Sequence, residues 1–273
     1  MYLSKISGRN QSLADKILNK NSDMMYAGIV SGNNVGEIWA DDASNPAFCM
    51  VWSDYLEGFH FMESSCTHIN MAKLRDFIES TILPFLKSKN INNFEFSCDI
   101  KEWVPIICGM LSDCKINKSK EYVYKLTGKD KPSTGTTPPA GYEVSDLTCD
   151  KVESMENYQE IKSDIIKTWG SMTKFKDLGK GVIATQGNSI CGLALTRFLF
   201  ENIYSIGVET YDPHKQKGLA SYLSKVLFDQ LISQNANIWW DCMESNIASQ
   251  KIALNAGLTF DHEYDILWFD LNE

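Results

Sequence analysis

The stretch VETYDPHKQKGLASYLSKVLFDQL, residues 208–231, sets His214, Lys215 and Lys217 around Gly218 in a chain of formal net charge −9. After the glycine, apolar residues at 219, 222, 223, 226, 227 and 231 follow the spacing of one helical face. A buried-face helix over 219–231 is expected. Before it, IYSIGVET alternates, with Tyr204, Ile206, Val208 and Thr210 on one side of a strand and Ile203, Ser205, Gly207 and Glu209 on the other. The order is therefore strand, basic glycine-bearing turn, helix. A helix opens with unpaired backbone N–H groups and the positive end of its dipole, so such a turn can hold an anion. Gly218 lets a phosphate approach the backbone, Ala220 keeps the next turn small, and the lysines add charge. An ordinary surface turn would use the same residue types. Neither G-x-x-x-x-G-K-[ST] nor G-x-G-x-x-G occurs here.

Lys215-Gln216-Lys217-Gly218-Leu219-Ala220 resembles the pyrophosphate loop of the GNAT acetyltransferase superfamily, [RQ]-x-x-G-x-[GA], with Lys215 in place of Arg or Gln. Downstream, ANIWWDCMESNIASQKIALNAGLTFDHEYDILWFDL reads as a short strand over 238–241, a helix with Ala248, Ile252 and Ala256 on one face, and a strand over 259–269. Gly257 stands where a left-handed helix C-cap is expected. The ordered motifs are similar to the second half of a GNAT domain over residues 141–273, nearest to the bacterial subgroup that includes zwittermicin A resistance acetyltransferases. The resemblance implies an α/β GNAT fold, acetyl-CoA as cofactor, and a strand before the loop that splays from its neighbour to admit the pantetheine arm. On that basis Val208, Thr210, Lys215, Gln216, Lys217, Gly218, Leu219, Ala220, Asn246 and Ser249 are the expected cofactor-binding residues. Gly207 fits a bulge or close backbone approach, or simple packing under a bulky neighbour. Asn246 suits a helix N-cap as well as a contact to the cofactor arm, and Ser249 suits the first helical turn.

At 273 residues the chain has room for one large or two ordinary domains, and its composition is that of a globular protein. No apolar run is long enough to span a bilayer, and MYLSKISGRNQSLADKILNK lacks a signal-peptide core, so a cytoplasmic location without a membrane partner is expected. The eight cysteines form no C-x-x-C pair and accompany four histidines, which argues against zinc and for reduced, mostly buried thiols. A pI near 5.0 argues against nucleic acid and suits a cationic substrate.

TGKDKPSTGTTPPAG, residues 127–141, is the clearest linker. Ahead of it the expected order is strand (59–63), helix (69–88), strand (94–98), helix (103–111) and strand (122–126); behind it the same order recurs. The expectation is a tandem of two GNAT-like units with mixed central sheets flanked by helices, at 1–127 and 141–273 with a linker at 128–140. An unrelated α+β first domain is the alternative. In the first unit ESSCTHIN takes the place of the pyrophosphate loop, with no glycine and no basic pair, so that unit is read as degenerate.

Acetyl transfer to an amine needs a proton acceptor, an oxyanion stabiliser and a proton for the departing thiolate. Glu209, at the end of the strand beside the loop, is the first candidate base, or else an exposed strand-end carboxylate. Asp241 and Glu244 follow the neighbouring strand and offer an acidic rim for a protonated amine. By the resemblance, a backbone N–H near Val208 would serve the oxyanion. Many GNAT enzymes carry a Tyr four residues before the closing glycine of the second helix, where this chain has Ala253. Cys242 has no histidine beside it in sequence and reads as a buried thiol, which favours direct attack over a covalent route. Trp239 and Trp240 read as core residues on opposite faces of a strand, while Phe198 and Phe200 either rim the acceptor pocket or pack internally. The first reading is an N-acetyltransferase acting on a small-molecule amine, with a homodimer as an allowed assembly. A non-catalytic acyl-CoA-binding or regulatory module and a pure interaction protein are the competing ones.

Overall fold

The computed structural model describes residues 3–6, 11–19, 22–63, 70–127 and 137–272. Residues 64–69 of ESSCTHIN and 128–136 of the expected linker lie outside the described residues. Two compact units result, Met1–Lys120 with Tyr264–Glu273, and Glu121–Glu263. This division departs from the expected 1–127 and 141–273. Residues 121–126 form part of the second unit and 264–273 part of the first. The reason is strand pairing, which the local pattern of a strand does not specify.

The first unit contains β1 (Ser4–Ile6), α1 (Gln11–Ile17), α2 (Met24–Val30), β2 (Glu37–Ala40), β3 (Phe48–Ser53), β4 (Gly58–Glu63), α3 (Met71–Phe77), α4 (Leu83–Ser88), β5 (Asn93–Cys98) and α5 (Trp103–Met110). The helix expected over 69–88 is α3 and α4 joined by a π-helical turn, Ile78–Ile82. Pro84 lies in the first turn of α4 and lacks an N–H, and the Leu83 N–H just before it reaches back to the Ile78 carbonyl. Strands β1 to β5 pair in sequence order, parallel at β4–β5 and antiparallel elsewhere. The far end of β12 (Thr259–Asp270) closes the other side of β5, with Leu267 opposite Phe96 and Phe269 opposite Phe94. Phe59, Phe94, Phe96, Trp52 and the helix residues Ile78, Ile82 and Leu86 fill the core.

The second unit repeats that sheet plan. Its strands are residues 121–126 of β6 (Asn117–Leu126), β7 (Glu143–Asp146), β8 (Gly181–Gln186), β9 (Ser189–Phe200), β10 (Ile203–Thr210) and β11 (Asn237–Met243). From β7 to β10 they pair antiparallel in sequence order, β10 runs parallel to β11, and β11 pairs antiparallel with residues 121–126 of β6. Strand β9 is buried on both faces between Ile190 and Leu199 because helices cover both. On one face α8 (Leu219–Ile232) inserts Leu219, Leu223, Leu227, Phe228 and Leu231, and α9 (Ile247–Asn255) adds Ala253. The other is covered by α6 (Tyr158–Trp169) and α7 (Met172–Leu178), which contribute Tyr158, Ile161, Ile165, Trp169 and Phe175. Gly257 closes α9 with φ +95°, as its position in the sequence requires, and the Leu258 N–H returns to the Ala253 carbonyl at 3.1 Å.

Among the described residues no helix is long and apolar enough to cross a membrane. No group of His, Cys, Asp and Glu there could hold a metal ion, and the described cysteines are free thiols.

Candidate active site

The two parallel strands of the second unit share only three register pairs: Ile203–Asn237, Tyr204–Ile238 and Ser205–Trp239. Both then run on, β10 to Thr210 and β11 to Met243, without further register partners between them among the described residues. Each stays paired on its outer side, β10 with β9 through Thr210–Gly192 and β11 with β6 through Met243–Glu121. The strands thus form a fork. At the same level the β9–β10 register slips, β9 spending three steps from Leu199 to Thr196 while β10 spends two from Tyr204 to Ile206. A bulge there bends the pair and raises its twist.

The fork opens toward the turn that leads into α8. Gln216 and Gly218 in that turn both have positive φ, +62° and +81°. Gly218 is the N-cap of α8, and no side chain caps this 14-residue helix. Side chains cap α2, α3, α7 and α9, through Asp23, Asn70, Ser171 and Asn246, but not α4, α5 or α6. A Cβ placed on Gly218 would meet nothing within 4 Å, so internal packing does not demand a glycine. What it supplies is the left-handed backbone and open space over the first-turn N–H groups. Lys215, Gln216 and Lys217 are exposed, and Lys215 is paired with Asp212 at 3.0 Å. Leu219 is buried in the core. Thr210 turns its hydroxyl inward toward Gly192, and Val208 packs against the α8 core. His214 in the same turn is held by Tyr142, whose hydroxyl lies 2.9 Å from Nδ1.

Asn246 acts as the N-cap of α9, its Oδ1 accepting the Ser249 N–H at 3.1 Å. The Ser249 hydroxyl accepts the Trp240 indole N–H at 2.9 Å. Both residues therefore have structural partners of their own.

Ser205 and Trp239 are opposite each other in a parallel pair, so Ser205, Gly207 and Glu209 share the sheet face of Trp239 and Asp241. The structure thus places Glu209 and Asp241 on one face, one on each arm of the fork. Glu209 is exposed, with the Tyr211 side chain beside it. Burial, and then the Glu209 carboxylate, push the Tyr211 phenol well above its ordinary range, so Tyr211 keeps its proton. Gly207 lies beneath the buried Arg197 side chain: a Cβ there would come within 2.6 Å of Arg197 Nε and 2.9 Å of its Cγ. The packing role of Gly207 is thus visible, beside a bulge one step away. Tyr211 and Arg197 were not legible as site residues. Tyr211 continues the alternation of 205, 207 and 209, which is the signal that could have found it. Glu244 is exposed in the turn after β11, its carbonyl accepting from Gln250 at 2.7 Å. Phe198 is buried and Phe200 partly so.

The sequence pattern of the family described as GNAT acetyltransferase matches residues 15–267. The chain belongs to that family. Solved GNAT structures share its fold over nearly the whole chain. A GCN5-related N-acetyltransferase-like protein from Streptococcus suis 89/1591 aligns with a TM-score of 0.68 at 16% identity, covering 96% of this chain and 100% of the other. A tandem GNAT protein from the clavulanic acid biosynthesis pathway gives 0.62 at 8% identity, covering 98% of both chains. A GCN5-related N-acetyltransferase from Kribbella flavida gives 0.57 at 13% identity, covering 97% of this chain and 96% of that one. No curated protein matches the chain as a relative.

Within this GNAT chain, Ala253 at the expected Tyr position is fully buried under α8 and brings no titratable group. Cys242 is also buried, and burial raises its thiol above the ordinary range, the reverse of what a nucleophile needs. Among the described residues, the equivalent parallel strands of the first unit form no such fork. Their register runs from Phe59–Phe96 through Phe61–Cys98, the last residue of β5, and the Asp99 N–H then bonds the Phe61 carbonyl at 3.1 Å. His60 ties the strands further, reaching Ser97 Oγ and Asp99 Oδ1 at 2.7 Å each.

Proposed function

We propose that the second unit is an acetyl-CoA-dependent N-acetyltransferase that moves the acetyl group to a primary amine of a small molecule by direct attack in a ternary complex. The observation that carries this reading is the fork between β10 and β11, which opens toward an uncapped helix N-terminus at a left-handed glycine. Strands that part at a fork suit an extended amide-bearing arm, and a helix N-terminus suits its pyrophosphate. Residues 215–220 would hold the pyrophosphate, and Val208 and Thr210 would meet the arm through their backbones. Asn246 and Ser249 would flank it in addition to their capping roles.

Acetyl-CoA supplies the acetyl group as an activated thioester. Glu209, beside the Tyr211 side chain, takes the proton of the incoming ammonium group directly or through water. Asp241 and Glu244 add negative charge that draws a cationic amine to the mouth. The Val208 backbone N–H stabilises the oxygen that gains charge during attack. The buried Cys242 thiol argues against a covalent acetyl-enzyme. The first unit, without a fork, is read as a degenerate partner with a structural or substrate-shaping role. The acidic chain and the likeness of its motifs to zwittermicin A resistance acetyltransferases favour a small cationic metabolite or antibiotic as acceptor, in the cytoplasm.

A second reading is favoured by Ala253, which has no proton to give a departing thiolate: the unit would bind acyl-CoA without turning it over. A screen of amines with acetyl-CoA, read by release of free thiol, separates the two. Thiol release with at least one amine supports the enzyme; tight CoA binding with no release across the panel supports the binding module.

A further inference from the structure

Two adjacent indoles on β11 differ in one respect. Trp239 and Trp240 are equally buried, each 4% exposed, on opposite faces of the strand. The Trp240 N–H donates to Ser249 Oγ. The Trp239 N–H is buried with no hydrogen-bond partner among the described residues. Native structures satisfy most buried donors, so one left open at a fork points to a group supplied from outside. The Trp239 ring is also firmly held. Lys125 Nζ lies 4.7 Å from its centroid, the His262 ring stands 5.6 Å away edge-on, and Asp261 pairs with both at 2.8 and 2.6 Å.

Position gives this donor its meaning. Ser205–Trp239 is the last rung before β10 and β11 part, so whatever runs into the fork from the α8 end comes to rest against it. The rung pairs a small side chain with a large one, and the large one sets the depth. We propose that Trp239 is the floor of the acyl slot: its indole N–H donates to the thioester carbonyl oxygen, and its ring restricts the slot to an acetyl-sized chain. This rests on the reading of the fork as the acetyl-CoA site.

The test is calorimetric titration of the full chain, wild type, Trp239→Phe and Trp239→Ala, with CoA, acetyl-CoA and butanoyl-CoA. Trp239→Phe removes the donor and keeps most of the bulk. It should weaken acetyl-CoA by about tenfold, the worth of one hydrogen bond, and leave CoA, which has no acyl carbonyl, unchanged. Trp239→Ala deepens the slot and should shift preference toward butanoyl-CoA over acetyl-CoA by about tenfold or more, two methylenes now being buried. Should the Ala variant not fold, Trp239→Leu serves for the size test. CoA binding with both ratios unshifted from wild type overturns this proposal alone. No binding of CoA to wild type overturns the fork reading, and this proposal with it.

Discussion

Ser205 and Trp239 are the last residues held opposite each other between β10 and β11, and beyond them each strand keeps only its outer neighbour. This one relationship organises the candidate site. It ends the pairing of the two arms, sets Glu209 and Asp241 on a shared face, and aims the opening at the turn around Gly218. The matching strands in the first unit stay paired to the end of β5.

Glu209→Gln keeps the side chain's shape and its contact with Tyr211 but removes the basic lone pair. If Glu209 is the base, turnover should fall by about 10²–10⁴-fold with acetyl-CoA affinity nearly constant. The rate should partly recover at high pH, where the amine loses its proton unaided. Parent-like rates at every pH would move the role to Asp241 or Glu244, whose amide variants test it in the same way.

Asn246→Ala removes the cap of α9 and should cost about 1 kcal/mol of stability in urea unfolding. If Asn246 also meets the cofactor arm, CoA affinity should fall too. A stability loss with unchanged CoA affinity would confine it to capping.

In the first unit His60 is buried between Ser97 and Asp99 and stacked on Tyr26 at 4.7 Å. Burial favours its neutral form, but the charge and hydrogen bond of Asp99, with the charge of Asp23, outweigh this and raise its pKa above the ordinary 6.5. A histidine whose folded pKa is raised contributes stability that is fully present below the unfolded value and lost as pH rises through the folded one. Asp23 is raised as well, by burial first and then by Asp99, despite the opposing charge of His60, and acts with the same sign. Urea unfolding should therefore show stability declining as pH climbs, the Asp23 share from about 3.8 upward and the His60 share from about 6.5 upward. Asp99→Asn should cost about 3–5 kcal/mol at pH 6, less at pH 9, and flatten the slope. Parallel pH profiles for the two proteins would contradict this.

The strand–turn–helix around Gly218, the α9 cap and its closing glycine were legible because each depends on residues near in sequence. Periodicity gives a helix, an Asn before it gives a cap, and a glycine after it gives a left-handed stop. The neighbours of a strand are not written that way. Residues 121–126 alternate as a strand should, yet nothing local says that they pair with β11, or that 264–270 pair back toward β5. Trp239 was read correctly as buried, but its unmatched N–H is visible only against its surroundings. The cover of Arg197 over Gly207 depends on the register slip in β9, and the contact of Tyr211 with Glu209 on how the chain leaves β10.

The central claim is that the second unit binds a CoA pyrophosphate on the backbone of residues 215–220. Calorimetric titration of CoA into wild type and Gly218→Val tests it most directly. At φ +81° a β-branched residue is strained, and its methyl groups would fill the space over the first-turn N–H groups of α8. The account predicts binding to wild type and at least about a hundredfold loss in the variant, the cost of blocking several backbone donors at once. A folded Gly218→Val protein that binds CoA as tightly as wild type would contradict it.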